Sequence, residues 1–247
     1  MRSFNMKKHI LLFAAALLSL CSCGPRSLSG REQTLEQGIS RDYQTISIKG
    51  NVDVEVDDEI NIMTITGDSN LLKLLKVKSD KKGVTITATS KLLRDASSPR
   101  VKVILPFGPY FKELKMDGHS SFKFAHWDIG PKLTIDTKGS NYVYGVMAMD
   151  ILVIRADGSD QIHLDCICDT ADIEAKGSSI IGFDGGPISA DTMKIYASGT
   201  SKVYIEALNN ISGVAEGASE IYVKGVNECT RLKLKDSARK IYCDECM

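Results

Sequence analysis

Proline is scarce in this 247-residue sequence, at 6 residues, so little of the chain is barred from regular hydrogen-bonded structure. Net charge is missing as well: 31 Lys plus Arg balance 31 Asp plus Glu. A neutral chain has no overall field with which to hold a phosphate backbone or an anionic bilayer, and no nucleic-acid partner is expected. The apolar run Ile10–Leu20 is about half the length of a membrane-spanning helix. What is present is 43% hydrophobic residues, 25% charged residues and 20 glycines, which is enough apolar side chain for a core and excludes disorder. Val, Ile, Thr, Ser, Asp and Gly prevail over Ala, Leu and Glu, which predicts strands and turns.

The amino end reads as an export signal. Lys7 and Lys8 precede the apolar run, and Cys21-Ser22-Cys23 follows it, so residues 1–22 are expected to be a signal peptide. Leu20-Cys21-Ser22-Cys23 resembles the lipobox of bacterial lipoproteins. That resemblance implies cleavage before Cys23 and its lipidation, since Ser22 is the small residue that precedes it. An ordinary cleaved signal is the alternative. Removal of Arg2, Lys7 and Lys8 leaves a slightly acidic body. Residues 23–39 show no periodicity and carry Pro25, Ser27, Ser29 and Gly30, which predicts a tether.

From residue 111 a unit of about 20 residues recurs seven times. Its corner falls at Gly118, Gly139, Gly158, Gly177, Gly199, Gly217 and, in the last copy, Ser237, each flanked by short alternating stretches. Four residues after the corner stand Phe122, Val143, Ile162, Ile181, Val203, Ile221 and Ile241. Two further on stand Phe124, Gly145, Leu164, Phe183, Ile205, Val223 and Cys243, and four before it Leu114, Ile135, Ile154, Ile173 and Ile195. Such rows face inward when like strands stack about 4.8 Å apart. The expected fold is therefore all-β, a parallel β-helix (β-solenoid) of about seven coils over residues 111–247. It forms a single domain, 40–247, with an irregular β-rich N-terminal block over 40–110. Within that block Asp68 or Ser69 caps a predicted helical turn ending near Leu75. Immediately before the corners, Asp117, Lys138, Asp157 and Lys176 alternate in sign, which favours an in-register stack.

The order YQTISIKGNVDVEV, ITGDSNLLKLLKVKSDKKGVTIT, VKVILPFGPYFKELKMDGHSSF and then Gly-Ser repeats resembles the family "putative auto-transporter adhesin, head GIN domain", from about Tyr43 to Tyr242. The resemblance implies a β-helical fold and a secreted or lipid-anchored envelope protein of the kind found in Bacteroidetes. It supplies no catalytic motif. In such lipoproteins an acidic run after the lipidated Cys resembles a surface-export tag; none follows Cys23, which favours the periplasmic face of the outer membrane over the cell surface.

Candidate chemistry is sparse. Five residues after the corner come Lys123, Tyr144, His163, Gly182, Tyr204, Tyr222 and Tyr242, between two inward rows and therefore outward. Exposed rings on a rigid rod suit stacking against a polysaccharide or peptide, and Tyr144, His163, Tyr204, Tyr222 and Tyr242 are the candidate ligand-binding residues. Stabilisation of the sheet by cross-strand aromatic pairs is the plainer reading. A carboxylate group of Asp157, Asp160, Asp165 and Asp172 near Lys176 raises a polysaccharide lyase or hydrolase as a distant alternative. No long loop offers a cleft for it, and no catalytic residue is assigned. His119, His126 and His163 occupy different repeat positions, and Asp157-Gly158-Ser159-Asp160 lacks a calcium-binding repeat. Cys166-x-Cys168 and Cys243-x-x-Cys246 lie four coils apart, roughly 19 Å, too far to share a zinc ion. Cys229 and Cys246 flank the last coil and are a possible disulfide in an oxidising envelope. No metal and no cofactor is expected. The predicted function is non-catalytic: a lipid-anchored envelope protein, in contact with the membrane through its anchor, that binds glycan or protein in an adhesin-like way. A scaffolding role without a small ligand is the alternative.

Overall fold

The computed structural model describes residues 28–88, 100–125, 130–183, 185–225 and 229–242. The signal segment, Cys23, Cys243 and Cys246 lie outside the described residues, as does the side chain of Cys229. The chain begins with β1 (Glu32–Gln37), β2 (Thr45–Gly50), β3 (Val52–Asp57), β4 (Met63–Asp68), helix α1 (Ser69–Leu72), β5 (Leu75–Ser79), β6 (Gly83–Ala88) and β7 (Val101–Pro106). The repeats follow as β8 (Glu113–Gly118), β9 (Ser121–Phe124), β10 (Lys132–Gly139), β11 (Tyr142–Gly158), β12 (Gln161–Gly177) and β13 (Ile180–Ile181). Last come β14 (Ile188–Ala197), β15 (Lys202–Ala215), β16 (Glu220–Lys224), β17 (Cys229–Leu234) and β18 (Arg239–Tyr242). These 18 strands hydrogen-bond as one sheet wound into a β-solenoid of about six turns.

Each coil has a leading segment that ends at the glycine corner and a trailing segment that leaves it. In β11 one continuous strand carries the trailing segment of one coil and the leading segment of the next, bending where Asp150 and Ile151 both face solvent. The corner glycines stack in register: Gly50 on Gly118, Gly118 on Gly139, and so on to Gly158 and Gly177. At Gly139 φ is +118°, and a Cβ there would lie 2.3 Å from the Gly118 carbonyl oxygen, so only glycine turns this corner. Alternation then sends Phe122, Val143, Ile162, Ile181, Val203 and Ile221 into the core from the trailing side, all fully buried. Leu114, Ile135, Ile154, Ile173 and Ile195 meet them from the leading side. Each such burial contributes about 1.5–3 kcal/mol before chain entropy is subtracted.

A second buried row is polar. Two residues after each corner stand Ser120, Asn141, Asp160, Ser179, Ser201 and Ser219, all buried. Several of them satisfy corner carbonyls: Ser120 Oγ donates to Gly50 O (2.9 Å), Asn141 Nδ2 to Lys138 O (2.8 Å) and Ser219 Oγ to Glu216 O (2.9 Å). Asp160 Oδ1 accepts from both the backbone N–H and Nδ2 of Asn141, at 2.7 and 2.9 Å. The other oxygen, Oδ2, is buried without a hydrogen-bond partner among the described residues, as is Thr137 Oγ1. Burial therefore prevails over these hydrogen bonds and raises the Asp160 carboxyl above its usual pKa.

Three expectations need correction. The predicted tether is structured from Ser29 onward, and β1 pairs antiparallel with β4. Asp68 Oδ2 accepts from the N–H groups of Ser29 and Gly30 and from the Ser29 hydroxyl, which clasps the segment to the body. The N-terminal block is also less irregular than its sequence: β2 and β3 form a full coil, and it is slotted out of sequence order between β6–β7 and β8–β9. Last, the final corner is Asp236, with φ 56°, rather than Ser237; Ser237 N donates to Gly217 O as the residue after each corner does. Asp tolerates this left-handed conformation better than most residues. The predicted cap does hold: Asp68 is the N-cap of α1, its carboxylate accepting from Asn70 N at 2.8 Å.

Candidate binding face

The outward rows of the two segments differ in chemistry. On the leading segments Lys49, Asp117, Lys138, Asp157 and Lys176 are vertical neighbours, and the next outward row holds Asp136, Arg155 and Glu174. Arg155 reaches Glu174 at 3.6 Å and Asp172 at 3.9 Å, and Lys176 pairs with Glu174. A shallow recess of about 210 Å³ among Asp136, Lys138, Arg155, Asp157, Glu174 and Lys176 is thus lined by equal numbers of opposite charges.

On the trailing segments the outward row is aromatic. Tyr204 and Tyr222 are direct neighbours on adjacent rungs, and their rings stack at 4.3 Å with an interplanar angle of 6°. The strand spacing supplies this geometry, since like residues one rung apart lie at the distance of ring contact. The Tyr222 hydroxyl donates to Glu220 Oε2 at 2.8 Å, and Glu220 also pairs with Lys202 at 3.2 Å. Those partners hold the Glu220 carboxyl below its usual pKa, the Tyr222 hydrogen bond first; burial and then Glu220 push the Tyr222 phenol up.

Gly182 stands on the next rung beyond Tyr204, with φ +71°, and a Cβ there would meet the Tyr204 carbonyl oxygen at 2.4 Å. Gly182 itself places no side chain beside the Tyr204 ring. Past this gap lies a second cluster. The His163 ring is 5.1 Å from Tyr142, nearly perpendicular to it, and 5.5 Å from Phe183; Tyr142 lies 5.2 Å from Tyr144. The Tyr142 hydroxyl is 3.1 Å from His163 Nδ1. Burial lowers the His163 pKa, which keeps the ring neutral at pH 7. Below Tyr144 the row ends in ions: Lys123 pairs with Glu55 at 2.7 Å.

The structure thus brings Tyr144 and His163 together and stacks Tyr204 on Tyr222. Tyr242 is not in this row. With the last corner at Asp236, Tyr222 pairs with Ile241 and Tyr242 with Val223, and Lys240 lies 4.5 Å from the Tyr242 ring centroid. Two members of the face were missed in sequence, Tyr142 and Phe183. Tyr142 is two residues from Tyr144, so strand alternation places both on one side. Phe183, expected in the inward row, forms a bridge with Gly186 instead, and Ile188 fills the core position between Cys166 and Ile205. The carboxylates weighed for catalysis do not converge: Asp160 is inside the coil, Asp157 is on a leading segment and Asp165 faces out from a trailing one.

The structure is a β-solenoid with one salt-bridged face and one aromatic face. The chain belongs to the family described as "putative auto-transporter adhesin, head GIN domain", whose profile matches residues 42–226. Membership makes it adhesin-like, of an exported envelope class. A putative adhesin from Bacteroides fragilis shares the fold with a TM-score of 0.72 at 16% identity, over 87% of this chain and 99% of its own. A putative adhesin from Parabacteroides merdae gives 0.62 at 19% identity, over 88% and 98%. A protein from Parabacteroides distasonis described as a putative lipid binding protein gives 0.59 at 21% identity, over 88% and 98%. No curated protein matches the sequence.

Proposed function

We propose that this protein is a non-catalytic, adhesin-like envelope lipoprotein, anchored through Cys23, that binds glycan on its aromatic trailing face. The carrying observation is the stacked Tyr204–Tyr222 pair, with the side-chain-less Gly182 beside it and the cluster of Tyr142, Tyr144, His163 and Phe183 beyond. Rings held rigid before contact lose little entropy on binding, and apolar faces bordered by hydroxyls match the alternating faces of a sugar ring. The lipobox-like residues around Cys23 support the anchor, and the family's envelope class supports placement in the outer membrane. Labelling cells with a palmitate analogue tests this: native protein takes the label and a Cys23→Ala chain does not.

Retention of the protein on immobilised cell-surface and capsular polysaccharides tests the face. The double variant Tyr204→Ser/Tyr222→Ser is expected to lose at least tenfold in retention with an unchanged circular dichroism spectrum. Retention equal to that of native protein would leave the rings as sheet stabilisers and favour a scaffolding role.

A further inference from the structure

Four sulfur-bearing side chains sit on two adjacent rungs of the solenoid. Met147 lies directly opposite Cys166 and Met149 directly opposite Cys168 on the adjacent rungs β11 and β12. The residues alternate along their strands, so all four side chains turn into the core, with exposures of 3%, 8%, 0% and 6% in the order Met147, Met149, Cys166 and Cys168. Both cysteines are free thiols. They are two residues apart on one extended strand, about 6.6 Å, and side chains projecting in parallel at that spacing exceed the Cβ separation of about 3.5–4.5 Å that a disulfide needs. The pair therefore does not close a disulfide on itself.

The quartet also has a mouth. Met149 and Cys168 line a recess of about 560 Å³ at the second corner of the coil, together with Pro131, Ile167, Asp150 and Asp169. Two carboxylates at the rim of a mostly apolar recess attract a cation. Among the described residues no three His, Cys, Asp or Glu side chains gather into a metal-binding group. Zinc, which takes thiolate, imidazole or carboxylate from such groups, has no site here. Two thioethers beside a thiol are a different donor set, soft and nearly uncharged, of the kind that selects Cu(I).

We propose that the Cys168 sulfur with the thioethers of Met147 and Met149 forms a buried site for one soft monovalent cation, Cu(I), reached between Asp150 and Asp169. Binding forms a Cu–S bond at Cys168 and releases its thiol proton to solvent. Cation and thiolate cancel, so the filled site carries no net charge, as a core position requires. In the structure the Cys168 thiol donates to Ser189 O at 3.7 Å, a bond given up when the thiol proton leaves. Cys166, two residues away and fully buried, is not required as a ligand. No oxidation or reduction is involved.

Titration of the full chain, reduced and anaerobic, against the coloured Cu(I)–bicinchoninate complex tests the site. Native protein is expected to withdraw one more equivalent of Cu(I) than either Cys168→Ala or the volume-conserving double variant Met147→Leu/Met149→Leu. The remaining cysteines are common to all three chains. A readout that needs no folded multiple variant is the NMR spectrum of native protein labelled at its methionine methyl groups. One equivalent of Ag(I), a redox-inert stand-in, is expected to move two methyl resonances, assigned with the single Leu variants, and to leave those of Met116 and Met193 in place. Equal Cu(I) uptake by all three chains, or methyl resonances that do not respond to Ag(I), overturns the proposal and returns the quartet to core filling.

Discussion

The leading and trailing faces of this solenoid share a backbone, a glycine corner and a core, yet one presents alternating charge and the other presents rings. Inward rows have no such freedom: Ile154 and Ile162 are both fully buried and both must be apolar. Outward rows cost the fold little either way, because an exposed ion pair and an exposed cross-strand aromatic pair each contribute about 0.2–1 kcal/mol. The charged face answers its own charges, with Arg155 between Asp172 and Glu174, whereas the aromatic face stacks Tyr204 on Tyr222 and places no side chain at Gly182.

Four variants break or sharpen this comparison. The largest effect is expected at the corner that both faces depend on. In Gly158→Val the new side chain would begin 2.4 Å from the Gly139 carbonyl oxygen at φ +135°. A cost of about 3 kcal/mol or more is expected, seen as a fall of roughly 6–12 °C in melting temperature. A melting temperature within 2 °C of native, as an order-of-magnitude bound, would show that the glycine ladder is dispensable.

Asp160→Asn comes next, at the buried polar row between the faces, and its mark is a slope with pH rather than an offset. The native carboxyl has a raised pKa, so between the ordinary Asp value, about 3.9, and the raised one the folded chain holds a proton that the unfolded chain has lost. Native stability attributable to Asp160 is therefore complete at low pH and is lost as pH rises through that window. The difference in melting temperature between Asp160→Asn and native protein should move in favour of the variant from pH 3 to pH 7. A constant difference across that range contradicts the raised pKa.

A smaller change is expected for Tyr204→Ser/Tyr222→Ser, about 1–2 kcal/mol in urea unfolding, alongside the loss of glycan retention. The smallest is Lys138→Asp, which sets like charges above and below on Asp117 and Asp157. A loss of about 0.2–1 kcal/mol that fades in 1 M salt is expected, with glycan retention unchanged. Were Lys138→Asp to abolish retention, the charged face would be the binding surface.

The sequence made the repeating half of the fold readable because glycine and apolar rows recur together from Gly118 to Gly217, and each recurrence confirms the last. Gly50 turns the same corner, but its coil occurs once before the chain departs into β4, so there was no second copy to set it against. The order in which coils stack left no local trace. At the other end Asp236 and Ser237 both fit a corner by composition, and only the register distinguishes them. Within the face, Tyr144, His163, Tyr204 and Tyr222 followed from alternation. Phe183 did not, because the enlarged spacing from Gly177 to Gly199 reports an excursion without saying where it leaves the strand.

The placement of the Thr45–Asp57 coil also sets an order of events. A chain that emerges amino end first presents β2 long before either of its hydrogen-bonded neighbours exists, since β6 and β8 are made later and flank it on opposite sides. Successive coils cannot simply be added to a finished first one. The early segment must wait until about residue 118 is free, after which the remaining coils have a template and each follows the one before, so the slow step of assembly belongs to the first half of the molecule.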